Sequence, residues 1–219
     1  TVTARAIAGL LGAQARVQGE ITFEGRTLRH GGNAFAGRDS ISYIFQNPRA
    51  ALDPVFTVGS QLVETLMTHG VKSRAAAVEG AIELLQAVGI PEPAKRMVEF
   101  PHAFSGGMAQ RVMIALSLAS NPRLLIADEP TSALDVSIRA QIIRLLSEIH
   151  RKKNAGLIFI SHDIGSVLEL CSRLLVMLKG RIVEAGAARQ IPASPPHDYK
   201  RPLIHPPPQI ASAKAVAAR

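Results

Sequence analysis

The sequence predicts an α/β fold, a mostly parallel sheet with flanking helices plus a helical subdomain. Three observations carry that reading. Short apolar runs at Ile41 to Phe45, Leu124 to Asp128 and Leu157 to Ile160 read as buried strands. Helical patterns stand between them, which is how a parallel sheet is wound. One interval, Val58 to Met97, holds two helices and a proline break instead of a single crossover.

Taken in order, Thr1 to Leu11 places apolar residues on one helical face and reaches Gly12 as a stop. Gly19 to Arg26 alternates apolar and polar residues and turns at a glycine, the pattern of a hairpin strand. Gly31-Gly32-Asn33 is a loop signal. The strand Ile41 to Phe45 then delivers Gln46. In the first helix after Val58, Leu62, Val63, Leu66 and Met67 pack while Gln61, Glu64 and Thr68 face water. Ser73 caps the second, which packs Ala77, Val78, Ile82, Leu85 and Val88 and ends at Gly89. Ile90-Pro91-Glu92-Pro93 is a break. Met97 and Met113 read as core, and His102 as a surface histidine without chemistry. Val136 to Lys153 is a long amphipathic helix, closed by basic residues and Gly156 as a helix dipole prefers. Arg173 to Met177 and Arg181 to Glu184 form a final hairpin around Lys179-Gly180.

Composition bounds the function classes. Apolar residues make up 47% and charged residues 19% of the 219, a globular balance. The single Cys171 excludes an intrachain disulfide framework and reads as a small buried hydrophobe at a helix end. No run approaches the ~18 apolar residues of a membrane span, and no signal-peptide pattern is visible. A role at a membrane would therefore need another subunit to hold the chain there. The formal charge of +8 suggests nucleic acid at first, but half of it lies in residues 187–219. That tail also carries seven of the fourteen prolines and only one aromatic, Tyr199, with no series of aromatics of the kind that stack on bases, so it reads as a basic solvated extension.

The chemistry-bearing stretch is Phe104-Ser105-Gly106-Gly107-Met108-Ala109-Gln110-Arg111. Ser105 can cap a helix, the glycines admit close approach, and a helix start with free N–H groups can hold a phosphate. A Ser-Gly-Gly tripeptide by itself is mostly a loop, and Asp128-Glu129 by itself a strand-end turn. Their company decides the matter. Leu124 to Pro130 ends a strand in two adjacent acids; Ser132-Ala133-Leu134-Asp135 follows, then Ile160-Ser161-His162-Asp163, with Gln46 upstream at the end of a strand. In this order and spacing the five segments resemble the signature, Walker B, D-loop, switch-histidine and Q-loop motifs of ABC-type ATPases. The resemblance runs from Thr1 to about Gln209. Gln46 to Pro54 is similar to the form seen in importers of dipeptides, oligopeptides and nickel. So is Ser194 to Leu203, although Asp198 stands where those tails have proline and their cysteine cluster is absent.

This resemblance implies an ABC-type P-loop ATPase core with a helical subdomain. Its division would be residues 1–57 (partial core with the Q-loop), 58–100 (helical subdomain), 101–187 (signature, Walker B, D-loop and histidine loop) and 188–219 (the basic, proline-rich extension). Glu129 would be the general base, assisted by His162 and Gln46. Asp128, Gln46 and Thr1 would serve Mg²⁺. Thr1, Ser105, Gly106, Gly107, Gln110 and Asp135 would contact ATP, the signature residues meeting the nucleotide of the opposite subunit in a head-to-tail pair. The implied partners are a second ATPase subunit, identical or not, transmembrane permease subunits, and an extracytoplasmic substrate-binding protein, with no nucleic acid. The implied place is peripheral, on the cytoplasmic face of the cell membrane. The helical insert, with the loop Asn47 to Pro54, would dock on the permease.

The family's Walker A loop, Gly-x-x-x-x-Gly-Lys-Ser/Thr, would end at Thr1 or one position before it, and no Gly-Lys-Ser/Thr occurs in the sequence. The expectation is therefore an N-terminally truncated copy, unable to hydrolyse ATP alone, with unpaired strand edges in its core. Two other readings use the same motifs: a soluble ABC ATPase of DNA repair or translation, and a non-catalytic remnant acting as an interaction module.

Overall fold

The first helix, α1 (Val2–Ala8), ends at Gly9 and not at Gly12. Gly9 adopts φ 74°, and the N–H groups of Gly9 and Leu10 close on Ala6 and Arg5, the paired bonds of a left-handed helix stop. In this computed structural model residues 1–28, 40–153, 155–190 and 214–218 are described. The Gly31-Gly32-Asn33 loop and Ser194 to Leu203 lie outside them. The chain divides into two units, Thr1–Ile126 and Ala127–Arg219, a cut through a strand and not at any of the sequence-based boundaries.

In the first unit, β1 (Thr22–Phe23) and β2 (Arg26–Thr27) form the expected hairpin. Its turn, Glu24 and Gly25, has positive φ at both residues, which matches the right-handed strand twist. Strand β3 (Ile41–Ile44) neighbours β4 (Leu124–Asp128), whose approach is fixed by the amides of Arg123 and Leu124 on the Ser40 carbonyl. After β3 come the single turn α2 (Pro48–Ala51), then α3 (Val58–Thr68), α4 (Arg74–Ala87), the short α5 (Pro93–Arg96) and α6 (Gly106–Ala119). Thr57 and Ser73 cap α3 and α4 through their side chains. Leu62, Leu85, Phe104, Val112 and Ile114 fill the apolar centre of this unit.

Two residues expected to pack face outward: Met67 is 41% and Val78 37% exposed. The inward row of α4 is Ala77, Ala81 and Leu85 at i, i+4 spacing, and its alanines present little bulk to the neighbouring helix. Val78 sits one position round from that row. Met97 is only half-buried, and its part is played by its backbone: its carbonyl accepts from the Gly59 amide at 2.9 Å.

In the second unit, the end of β4 leads to α7 (Val136–Lys153), β5 (Gly156–Ser161), α8 (Ile164–Leu170), β6 (Arg173–Leu178) and β7 (Arg181–Ala187). Gly156 is the first residue of a strand and not a helix stop. Ile142, Ile143 and Leu146 of α7 and Leu157, Phe159 and Ile160 of β5 are buried. Cys171 is buried at the end of α8, as its type predicts. The hairpin turn Lys179-Gly180 has positive φ at both residues.

The largest departure from the sequence reading concerns the tail. Ala188 is buried, and Lys214–Ala218 form a strand, β8, between β5 and β6 in the order β4-β5-β8-β6-β7. The segment pairs antiparallel with both neighbours, Ile160↔Val216 and Leu175↔Val216 among the partners, so β5 and β6 run parallel to each other. The solvated extension therefore does not take in the chain's last strand, and the β5 and β6 edges are paired. Two facing strands without partners would leave rows of N–H and C=O groups unsatisfied, and a short alanine-rich segment can fill such a slot.

The close approach at Gly59 gives a test of this packing. A Cβ there would stand 2.4 Å from the Met97 carbonyl oxygen. Gly59→Ala should lower stability by about 1–3 kcal/mol, the usual cost of overpacking. Gly80→Ala, which meets only Leu66 Cδ1 at 3.5 Å, should be neutral or stabilising. Urea denaturation of the two variants reads the difference.

Candidate active site

In the first unit the Ser-Gly-Gly stretch opens α6. Ser105 is its N-cap, its Oγ accepting from the Met108 amide at 3.3 Å. Ser105 and Gly106 are exposed, and a Cβ on Gly106 would meet nothing within 4 Å, so this helix start faces open space. Gln110, one turn on, is buried, at 1% exposed. Polar donors at the mouth of a long, buried helix give this end a partial positive charge.

Two arginines brace the helix. Arg49 Nη2 donates to the carbonyl of Phe104, directly before the cap, at 3.3 Å. Arg111 Nη1 donates to the Val88 carbonyl at the C-terminal end of α4. A cation there complements the helix dipole, while burial pushes the Arg111 guanidinium below its ordinary pKa. The adjoining Gly89 has φ 76°. Arg111 was visible in the motif without a role; nothing in the sequence marks Arg49 as different from a surface arginine.

Gln46 is exposed and lines a cavity of about 470 Å³ with Arg5, Phe45, Asn47, Ala50 and Ala51. Asn47 caps α2 by accepting from the Arg49 amide at 3.1 Å, which turns the chain away after Gln46. Thr1 precedes α1 as its N-cap residue without a side-chain capping bond.

In the second unit the two acids behave differently from ordinary strand-end residues. Asp128 and Glu129 are 1% and 3% exposed. Glu129 adopts φ 51°, and its amide donates to the Ile160 carbonyl at 2.9 Å, carrying strand pairing past the end of β4. Its Oε2 lies 2.9 Å from His162 Nδ1. His162 follows β5, where Asp163 caps α8 and donates its own amide to Ser161 Oγ. Ser132 Oγ donates to the Glu129 carbonyl at 3.2 Å. Asp135 uses its Oδ1 to accept from the Ile138 amide at 2.9 Å and so starts α7. Of the residues that the sequence singled out, Glu129 and His162 are thus brought into contact from neighbouring strand ends.

Asp128 and Glu129 supply hard oxygens, and among the described residues no three histidines, cysteines or acids cluster as a cage. Hard oxygen donors in small number suit Mg²⁺, which keeps waters and binds substrate phosphates. The residues fit that ion and do not fit a closed structural site.

Comparison with known proteins agrees with the motifs. A family model described as "ABC transporter" matches residues 1–132. The chain is 46% identical over 213 residues to the oligopeptide transport ATP-binding protein OppD of Salmonella typhimurium, covering 96% of this chain and 64% of that protein. It is 42% identical over 219 residues to the dipeptide transport ATP-binding protein DppD of Escherichia coli, covering 98% of this chain and 67% of that one. Thus the chain spans a little under two thirds of OppD. Among solved structures, cbiO1 from Clostridium perfringens, part of the ABC transporter complex cbiONQ, aligns with a TM-score of 0.72 at 26% identity, over 94% of this chain and 79% of that one. The ATP-binding cassette MJ0796, in a dimeric post-hydrolysis state bound to ADP and phosphate, has the same fold, with a TM-score of 0.74 at 24% identity, over 86% of this chain and 80% of that one.

The cap at the opening of α6 can be tested without any ligand. Ser105→Ala should cost about 0.5–2 kcal/mol, the range for loss of a side-chain N-cap. Ser105→Thr should keep most of it, since the hydroxyl remains. Thermal denaturation of the pair is the measurement.

Proposed function

Because this chain belongs to the ABC transporter family, we propose that it is an ATP-binding subunit of an importer, coupling ATP hydrolysis to the uptake of peptides. The single observation that carries the catalytic part is the 2.9 Å contact between His162 Nδ1 and Glu129 Oε2. A buried carboxylate oriented by a neighbouring donor is held in a fixed position, which is what a general base needs. Glu129 takes the proton of the water that attacks the γ-phosphate. His162, with Nδ1–H donated to Glu129, has Nε2 left to approach a phosphoryl oxygen, and it donates there only as the imidazolium. Asp128 would hold Mg²⁺, which when bound neutralises charge on the phosphates.

The exposed start of α6 supports a role toward a second nucleotide. Ser105, Gly106 and Gly107 present N–H groups and a hydroxyl outward, suited to the γ-phosphate held by an opposing ATPase subunit. Gln110 is inward-facing, so it acts through the helix and not on the phosphate. Asp135 reaches toward the partner from the start of α7.

Peptides are the substrate class that the OppD and DppD similarity favours. No helix among the described residues is long and apolar enough to cross a membrane, and permease subunits would hold the chain at the cytoplasmic face, fed by an extracytoplasmic substrate-binding protein. The permease docking surface is best sought at Val55 and Phe56, 70% and 54% exposed, beside α3. Leu52, in the same loop, is 2% exposed and unsuited to a contact.

Three outcomes are expected. In a version carrying a Walker A segment ahead of Thr1, Glu129→Gln should abolish turnover yet retain ATP and a closed dimer; unchanged steady-state turnover would remove Glu129 as the base. Cysteines at Val55 or Phe56 should crosslink to a membrane subunit, whereas capture of nucleic acid would favour a soluble, non-transport ATPase. A polypeptide of residues 1–219 alone should bind ATP at millimolar strength or worse in a calorimetric titration with Mg²⁺. A Walker A loop supplies several charge-assisted bonds, and three of them amount to about 4–9 kcal/mol of the ~8 kcal/mol in micromolar binding.

A further inference from the structure

Arg49 joins two parts of the proposed machinery that the sequence keeps far apart. The guanidinium sits on the first turn after Gln46, in a segment stiffened by the Asn47 cap and by Pro48 at the start of α2. Its Nη2 reaches the carbonyl of Phe104, across a separation of 55 residues. Phe104 is 1% exposed, so its ring anchors that carbonyl in the core. The next residue is Ser105, whose hydroxyl and carbonyl take the amides of Met108 and Ala109. From Gln46 to the opening of α6, the path is one short turn, one side chain and one peptide unit.

An arginine on a loop carbonyl is commonly a surface brace. Here the brace has no slack at either end. The cap and proline fix α2, the buried ring fixes Phe104, and Arg111 holds α6 to the end of α4 from the other side. Arg49 is itself exposed. Its bond therefore adds little to global stability, and what it contributes is registration of one loop against the other.

We propose that Arg49 is a positioning residue that sets the Ser105-Gly106-Gly107 turn relative to Gln46. A ligand that moves Gln46 then shifts the turn offered to the opposing subunit's nucleotide. The inference rests on the ATPase reading above for its consequence, though not for its geometry. Since the Arg49 guanidinium acts through the Phe104 peptide, its loss acts on the closed, hydrolysing state and not on ATP capture. The charge-assisted donor and its length both matter. Lysine keeps the charge but presents a compact ammonium in place of the planar fork, so it restores the link only in part.

Two measurements test this. In residues 1–219 without nucleotide, Arg49→Ala should speed hydrogen exchange at the Met108 and Ala109 amides while leaving those of β5 unchanged. In the version with a Walker A segment and its membrane partners, Arg49→Ala should lower kcat about three- to tenfold, the range for one net hydrogen bond at an exposed site, with KM for ATP within about twofold. Arg49→Lys should recover part of kcat. Unchanged exchange at Met108 and Ala109, or equal acceleration in β5, would overturn the proposal, as would a rise in KM at constant kcat. Glu129→Gln in the same background separates the two readings. If it leaves turnover intact, Glu129 is not the base, turnover no longer reports on the proposed site, and the exchange experiment alone decides Arg49.

Discussion

A carboxylate taken out of water must find donors or lose its charge, and the second unit is arranged around that constraint at Glu129. The side chain is almost wholly enclosed and would be costly without compensation. His162 supplies a donor at 2.9 Å. For the imidazole to arrive, β5 must end beside β4, and the Glu129 amide bonding Ile160 sets that alignment. The positive φ at Glu129 turns the chain where the strand stops. That conformation is strained for a residue with a Cβ, and it persists because Ser132, Ile160 and His162 each hold a different atom of the same residue. Asp163 continues the arrangement by capping α8 directly after the histidine.

The first unit solves a different problem, the orientation of one helix start. Helix α6 is enclosed over most of its length, so its direction is set by packing. Its opening turn is exposed and needs other restraints. Those are the Ser105 cap within the helix, Arg49 on the peptide before it, and Arg111 toward α4. Glycine at 59 lets α3 come against the Met97 backbone, and Gly89 adopts a backbone angle costly for other residues beside the Arg111 guanidinium. Polar restraint at the rim and apolar packing behind it give a turn that is both open and fixed. A helix start of that kind suits an anion delivered from outside the unit.

The slot between β5 and β6 shows how strongly unpaired backbone groups drive pairing. Two parallel strands are separated by a third running against both. The occupant, Lys214–Ala218, is placed by a backbone ladder on both sides. Its composition had pointed to solvent, because a charge and proline count is blind to which edge a segment can reach.

The sequence by itself determined the elements with strong local signals. Apolar strands ending in Gln46 and Asp128-Glu129, the helix caps Ser73 and Ser105, and the Lys179-Gly180 turn were all legible, because capping and turn chemistry act over a few residues. The five motifs, in order, identified the family before any coordinate was needed. Helix ends were less secure: Gly9 and Gly12 are both plausible stops, and only the backbone angle distinguishes them. The tertiary structure alone decided that Glu129 meets His162, that Gln110 turns inward, that Met67 and Val78 face out, and that Arg49 reaches Phe104. Each of these depends on where a distant segment lies. Local propensity carries no information about that, since it is fixed by the packing of whole elements against one another.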